Sequence, residues 1–158
     1  MIKIPPYLKT GDTIGLVCPA GYMPVEKAEK CIAALKQWGY QVKMGSTPGG
    51  QFNYFSGTDE QRLEDLQKMM DDEEVQAILC ARGGYGTGRI IERLDFKKFS
   101  RKPKWIIGFS DVSVLQAHLF TKYKIASLHA PMAGAFNEDD SNEYIRSLKN
   151  ALVGGKAN

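Results

Sequence analysis

The amino-acid sequence predicts an α/β fold in which a mostly parallel sheet is flanked by helices on both faces. Short apolar runs of strand length alternate along the chain with segments whose apolar residues recur at helical spacing. Strands that alternate with helices form βαβ units, and the strands of such units run parallel in one sheet. With 158 residues, the chain is long enough to bury the core of one such domain.

Five apolar runs have the length and the turn-forming borders of buried strands. They are residues 13–18, 40–44, 75–80, 105–108 and 125–129. After Pro24, apolar residues at 3,4,3 spacing predict a helix that ends at Gly39.

Two further helices are predicted from their caps. The Thr-Asp-Glu-Gln sequence at residues 58–61 forms a capping box. The inner stripe of its helix is expected to be Leu63, Leu66 and Met70. Residues 140–143 are expected to cap a last helix. The inward face of this last helix is expected to carry Tyr144, Leu148 and Leu152.

A loop at residues 45–57 contains three aromatic residues, Phe52, Tyr54 and Phe55. They could line a pocket. Because large apolar groups are usually buried, we expect them instead to fold back over the core.

The composition limits the classes of partner. A net charge of +3, from dispersed Lys and Arg, does not indicate a nucleic-acid partner. No apolar run is long enough to span a membrane, and the N-terminus lacks the pattern of a signal peptide. The 3 cysteines show no metal-binding spacing and are expected to be reduced core residues. We therefore expect a cytoplasmic protein without a metal or an organic cofactor.

Three unusual segments follow predicted strands, at residues 18–21, 82–86 and 109–111. Ligands of open parallel sheets bind outside the carboxyl ends of the strands. We therefore expect these segments to converge on one edge of the sheet and to form the functional site.

The segment at 82–88 is the densest glycine stretch in the chain. Its glycines could cradle a phosphate, although the spacing matches neither a P-loop nor a dinucleotide fingerprint. They could also serve only a tight turn that needs positive φ. In a third interpretation, the N–H group of one of these glycines joins the Asp111 N–H in an oxyanion hole. Arg82 could bind a substrate carboxylate or form an ordinary ion pair.

Ser110 lies on a predicted strand–turn–helix. Such a turn is typical of a nucleophile elbow, in which helix N-terminal amides lie beside the serine hydroxyl. The alternative is that Ser110 or Asp111 only caps the following helix. A serine nucleophile also needs a base, normally a histidine that a carboxylate orients. His118 is about two helical turns beyond Ser110, and His129 has no acidic residue near it in the sequence, so no triad is complete.

The order of these motifs resembles the LD-carboxypeptidases of the serine peptidase S66 group. Arg-Gly-Gly-Tyr-Gly at 82–86, Gly-Phe-Ser-Asp at 108–111 and Leu-His-Ala-Pro-Met at 128–132 carry the resemblance. Residues 5–12 and 55–62 also match, so that it covers essentially the whole chain. The sequence departs from the family pattern at 18–21, which has no serine, and at Ala130, where glycine is usual.

The resemblance implies a cytoplasmic serine carboxypeptidase that removes the terminal D-alanine from murein tetrapeptides during peptidoglycan recycling. The same group includes hydrolases of microcin C-type aminoacyl nucleotides. Ser110 matches the family nucleophile, and the loop at 82–86 would lie by the substrate and the oxyanion hole. Gly84 and Asp111 are the residues expected to donate their N–H groups there. The residues expected beside the substrate are Arg82, Gly83, Tyr85 and Gly86.

The resemblance also implies two domains. Residues 1–153 would be the N-terminal nucleophile domain, flavodoxin-like or class I glutaminase-like in fold, and residues 154–158 a linker or tail. The catalytic Glu and His would belong to a C-terminal domain of the same protein, so the 158-residue chain is expected to be inactive alone. The family's tendency to dimerise suggests a homodimer. Two other hypotheses stay open: a non-catalytic small-molecule binding domain, and a self-contained hydrolase with His129 as its base.

Overall fold

The computed structural model describes residues 1–136 and 142–156. Within them, five strands form one parallel sheet in the order β2-β1-β3-β4-β5, which is the flavodoxin-like order. The strands are β1 Thr13–Val17, β2 Gln41–Met44, β3 Val75–Cys80, β4 Trp105–Gly108 and β5 Leu128–His129. The predicted parallel α/β sheet is confirmed, although the fifth strand is shorter than expected.

Helices connect the strands and follow the last one. They are α1 Glu29–Gln37, α2 Asp59–Asp71, α3 Thr87–Ile90, α4 Lys97–Arg101, α5 Ser113–His118 and α6 Glu143–Leu152. A 3-10 turn at Val25–Ala28 leads into α1, and another at Ser110–Val112 leads into α5. No helix of the described ranges combines the length and the apolar character that a membrane span requires.

Apolar clusters cover both faces of the sheet. One cluster contains Leu35 of α1 and Leu148 of α6, and the other contains Leu66 of α2 and Leu115 of α5. Adjacent strand residues point to opposite faces, so neighbouring residues of β4 divide between the two clusters. The predicted helical layer on each face is therefore present.

The capping box of α2 forms as predicted. The Gln61 N–H donates to Thr58 Oγ1 at 3.2 Å, and the Thr58 N–H donates to Gln61 Oε1 at 2.9 Å. Leu66 and Met70 are buried on the inner side of the helix, whereas Leu63 is only half-buried.

The prediction for α6 was partly wrong. Asp140 and Ser141, two of the expected cap residues, lie outside the described residues, and the observed cap is Asn142, which accepts from the Tyr144 N–H at 2.9 Å. The Tyr144 side chain is 67% exposed, and Ile145 takes the inward position instead. The buried face of α6 therefore begins at Ile145 rather than at Tyr144. Ile145 lies three residues before Leu148, so the two residues share one face of the helix.

The expectation that the aromatic loop folds back over the core was wrong for two residues. Phe52 and Tyr54 are 51% and 53% exposed, and only Phe55 is half-buried. Phe52 and Phe55 exchange two backbone hydrogen bonds of 2.9 Å, and this tight turn directs the intervening Tyr54 towards the glycine stretch rather than into the core.

Candidate functional site

The loops that follow β1, β3 and β4 meet at the carboxyl edge of the sheet. The Gly21 N–H donates to the Gly83 carbonyl at 2.9 Å, which joins the first loop to the second. A Cβ atom placed on Gly83 would lie 3.2 Å from Ser110 Cβ, so the second and third loops are in direct contact. The strand order reverses between β1 and β3, where ligands of such sheets bind. The three segments converge as expected.

Ser110 stands at a sharp change of backbone direction. Phe109 is extended, and Ser110 has a left-handed φ of 60°. A residue with a side chain adopts this conformation at a cost of roughly 1–2 kcal/mol. Its side chain is exposed at the edge of the sheet. An exposed serine on a strained strand-to-helix turn has the geometry of a nucleophile elbow.

Helix capping does not account for this turn. In the part of the chain that the structure describes, neither the 3-10 turn Ser110–Val112 nor α5 has a side-chain cap. Asp111 instead reaches across to the glycine stretch, where its Oδ2 accepts a hydrogen bond from the Thr87 N–H at 2.9 Å. Thr87 is the first residue of α3, so Asp111 caps a neighbouring helix and ties the two loops together.

Gly83 lies directly beside the Ser110 hydroxyl. A Cβ atom on Gly83 would be 3.4 Å from Ser110 Oγ and 3.5 Å from the Asp111 nitrogen. A side chain at this position would therefore occupy the space next to both groups. With glycine there, the backbone of the stretch can lie in direct contact with the loop that carries Ser110.

Backbone conformation accounts for two other glycines of the stretch, Gly84 and Gly86. Gly84 and Gly86 have positive φ values of 96° and 145°, which favour glycine. A Cβ on Gly84 would also lie 2.5 Å from Tyr54 Oη. The tight-turn interpretation thus explains these two positions. It does not explain Gly83, whose φ is not in the left-handed range and whose neighbour is Ser110.

Arg82 and Tyr85 extend into solvent on the two sides of the stretch. Arg82 lines a cleft of about 720 Å³ between the β3 loop and the turn after β5, with Phe109 on its wall. The other side chains on its walls include Met23, Lys27, Met132 and Phe136. The cleft thus combines cations and one carboxylate, that of Glu26, with apolar surface. Tyr85 is 57% exposed, and its ring centroid lies 6.2 Å from that of Phe55.

The two histidines have different environments. His118 stacks on Phe96 with 5.0 Å between ring centroids, as a packed residue. His129 is exposed, and its ring lies edge-on to Phe109 at 6.1 Å. Among the described residues, neither has a hydrogen bond or an ion pair with a carboxylate. The arrangement that orients a catalytic histidine is therefore absent from residues 1–136 and 142–156.

Sequence analysis missed Arg62, which is fully buried beneath the loops. Its guanidinium donates to the carbonyl oxygens of Pro19 at 2.7 Å, Gly86 at 2.9 Å and Gly57 at 3.2 Å. A signal was present, because Arg62 shares the inner stripe of α2 with Leu66, four residues later. A charged residue on an apolar stripe indicates a buried polar contact.

The cysteines take no part in the site chemistry. All three are buried and free. Burial raises the pKa of Cys18 and that of Cys31 to about 12, and it also raises the pKa of Cys80. Across the described residues, no three His, Cys, Asp or Glu side chains are grouped so that they could hold a metal ion.

Comparison with known proteins matches residues 14–130 to the LD-carboxypeptidase N-terminal domain of peptidase family S66. A probable murein peptide carboxypeptidase of Bacillus subtilis is 38% identical over 128 residues, which cover 81% of this chain and 40% of that protein. The murein tetrapeptide carboxypeptidase of Pseudomonas aeruginosa is 34% identical over 121 residues, covering 76% of this chain and 39% of that protein. The chain therefore spans less than half the length of these relatives.

A solved structure of MccF in complex with glutamyl sulfamoyl guanosine has the same fold. Its TM-score is 0.88 over 96% of this chain and 47% of that chain, at 22% sequence identity. At this identity the likeness concerns the fold alone, and it agrees with the order of strands and the placement of helices described above.

Proposed function

The chain belongs to the LD-carboxypeptidase family, peptidase S66, and from this membership we propose that it carries the nucleophile of a serine-type carboxypeptidase. The proposed substrate is the L,D-peptide bond to the terminal D-alanine of murein tetrapeptides, cleaved in the cytoplasm during peptidoglycan recycling. The names of the two relatives that are 38% and 34% identical to this chain over the aligned residues support this substrate class.

The observation that carries the proposal is the left-handed, exposed Ser110, which lies against the backbone of the glycine stretch at Gly83. In the proposed reaction, Ser110 Oγ attacks the carbonyl carbon of the scissile bond while its proton passes to a base. The carbonyl oxygen becomes an oxyanion, which the N–H groups of Gly84 and Asp111 stabilise. The C–N bond then breaks, the protonated base returns its proton to the leaving D-alanine amine, and water hydrolyses the acyl-enzyme.

In this proposal, the catalytic base belongs to a segment outside this chain. A C-terminal domain of the same protein supplies a His and a Glu, and residues 1–153 act as the nucleophile domain. The matched residues cover only 40% and 39% of the two relatives, and the remaining length of these relatives supports a further domain. The 158-residue chain alone then has no activity.

The glycine stretch binds the substrate beside the serine. Arg82 takes the terminal carboxylate of D-alanine, because its planar fork of donors suits a carboxylate. Gly83, Tyr85 and Gly86 form the adjoining wall.

Active-site labelling of the full-length protein tests this proposal. We expect a fluorophosphonate to add one phosphonyl group, detected by intact mass, to the wild type and to a Ser113→Ala control but not to Ser110→Ala. The unlabelled full-length enzyme should release D-alanine from a tetrapeptide and leave the L-alanine epimer intact, and labelling should abolish this release. Absence of an adduct on Ser110 would refute the serine mechanism and favour a non-catalytic binding domain. Labelling of the 158-residue chain that depends on His129 would favour a self-contained hydrolase.

A second candidate is hydrolysis of an aminoacyl nucleotide, and a sequence relative, the microcin C7 self-immunity protein MccF of Escherichia coli, supports it with 26% identity over 127 residues. The cleft beside Arg82 also offers apolar and cationic walls to such a ligand. Comparing kcat/KM for a murein tetrapeptide and for an aminoacyl sulfamoyl nucleoside would separate the two candidates, and a higher value for the nucleoside would replace the first proposal by the second.

A further inference from the structure

Arg62 is the most completely buried charged side chain near the site, with no exposed surface. Its Nε donates to the Gly57 carbonyl at 3.2 Å, and its Nη1 donates to the Pro19 carbonyl at 2.7 Å and the Gly86 carbonyl at 2.9 Å. Nη2 donates to the Asp59 carboxylate. One side chain thus holds three backbone segments together.

The surroundings of Arg62 compensate its charge. The Phe55 ring lies 4.8 Å from Arg62 Cζ, and Asp59 forms the ion pair. Arg89 shares both contacts, since it also pairs with Asp59, at 2.8 Å, and lies 5.5 Å from the same ring. Burial lowers the pKa of Arg62, but an arginine side chain remains charged at neutral pH.

An apolar residue would satisfy the packing of α2 at this position, because Leu66 and Met70 continue the same buried face. Burying a guanidinium is costly unless its donors are paired. Arginine therefore differs from leucine or methionine at this position by its three hydrogen bonds to carbonyl oxygens. All three carbonyl groups belong to loops or to the start of a helix, and none belongs to the sheet.

These loops are the ones that surround Ser110. Pro19 lies two residues before Gly21, whose N–H binds the Gly83 carbonyl. Gly86 ends the glycine stretch and precedes Thr87, which Asp111 binds. Arg62 thus contacts the stretch directly at its far end and indirectly, through the β1 loop, at its near end.

We propose that Arg62 is a positioning residue that holds the β1 loop and the glycine stretch in the arrangement that places Gly83 against Ser110. The effect on catalysis rests on the proposed function, because Arg62 itself has no hydrogen bond to Ser110 or Gly83. The effect on the geometry of the loops does not depend on that function.

The test compares Arg62→Lys and Arg62→Met with the matched variants Arg89→Lys and Arg89→Met in the full-length protein. Arg89 shares the carboxylate and the ring with Arg62 but none of the three carbonyls. Lysine keeps the charge but cannot reach three carbonyls at once, since it is a point donor on a flexible stem. We expect kcat of Arg62→Lys to fall about 100-fold, the loss typical of a displaced oxyanion donor, with KM within about threefold. Both Arg89 variants should stay within about threefold of the wild type.

Hydrogen exchange provides a readout that does not require activity. In the Arg62 variants, the amides of residues 83–86 should exchange at least about tenfold faster, while those of β3 and β4 keep their protection. A uniform rise in amide exchange rate throughout the sheet would show a merely structural role and overturn the proposal. A loss of kcat in proportion to the loss of folded protein would do the same. Equal effects of the Arg62 and Arg89 variants would also overturn it. If the wild-type protein fails to label at Ser110, the proposed function fails, and the exchange data still decide the role of Arg62.

Discussion

Replacing Gly83 with alanine would test whether catalysis depends on the close contact between the glycine stretch and the Ser110 loop. The added methyl group would lie 3.2 Å from Ser110 Cβ, 3.4 Å from Oγ and 3.5 Å from the Asp111 nitrogen. These contacts are tight but do not interpenetrate, so a shift of a few tenths of an ångström would accommodate them. Gly83 does not have a positive φ, and alanine introduces no backbone strain there. The fold should therefore tolerate the change with a loss of less than about 1 kcal/mol.

The expected effect on activity is much larger than the effect on stability. The methyl group pushes the Ser110 loop away from the glycine stretch, so the Asp111 N–H and the donor of the stretch no longer point at the same oxyanion. Removing one such donor costs about 100- to 1,000-fold in kcat, which corresponds to about 2.7–4 kcal/mol. We expect kcat of the full-length Gly83→Ala protein on a murein tetrapeptide to fall by this factor.

The assay is steady-state release of D-alanine, accompanied by thermal unfolding of each variant. Gly88→Ala is the matched control, because a Cβ there meets nothing closer than 4.0 Å and the residue lies within α3. This control should retain its activity and gain roughly 0.5–1 kcal/mol of stability. If Gly83→Ala keeps more than a third of the wild-type kcat, the oxyanion hole does not depend on this contact, and the assignment of its donors to these two loops is wrong.

Three other predictions concern Asp111, Asp59 and the thiols. Asp111→Ala should lower the free energy of unfolding by about 1 kcal/mol in a urea titration, because the Thr87 N–H loses its acceptor, and Asp111→Asn should lose less; equal losses would contradict the capping role. Hydrogen bonds from Arg89 lower the pKa of Asp59 below its ordinary value of 3.8, so this pair stabilises the fold above that pH and the stabilisation is lost as the pH falls through the folded-state pKa. Asp59→Asn should therefore flatten the acid side of the stability curve, and an unchanged curve would refute this. Because burial raises the pKa of Cys18 to about 12, a disulfide reagent at pH 8 should titrate the three thiols only after denaturation, and rapid reaction of the native protein would contradict the burial.

Local patterns were sufficient to predict most elements of the fold. The strands are apolar runs between turn residues, and the capping box of α2 involves residues only three positions apart, so each could be recognised within a short window. The order of the strands came only with the family resemblance, because an apolar run shows that a strand is buried but not which strand lies beside it. Tyr144 was misplaced because a helical stripe displaced by one residue fits nearly as well.

The site was predictable in part. The strand–turn–helix pattern correctly placed Ser110 on a sharp turn, and parallel topology brought the three loops together. The contacts of Arg62 were out of reach, since its carbonyl partners lie 43 and 24 residues away along the chain and depend on the paths of two loops. The exposure of Tyr54 also depended on a loop path, which the general burial of aromatic residues could not anticipate.

The left-handed conformation of Ser110 has a practical consequence for the choice of inactive protein. Alanine, the usual replacement, keeps a Cβ and therefore keeps the strain of a positive φ. Glycine also removes the hydroxyl but adopts this conformation freely. We expect the free energy of unfolding of Ser110→Gly to be about 1 kcal/mol higher than that of Ser110→Ala. Equal free energies of unfolding in a urea titration would show that the turn is not strained. The glycine variant would then be the better trap for a bound substrate, because it is both inactive and relaxed.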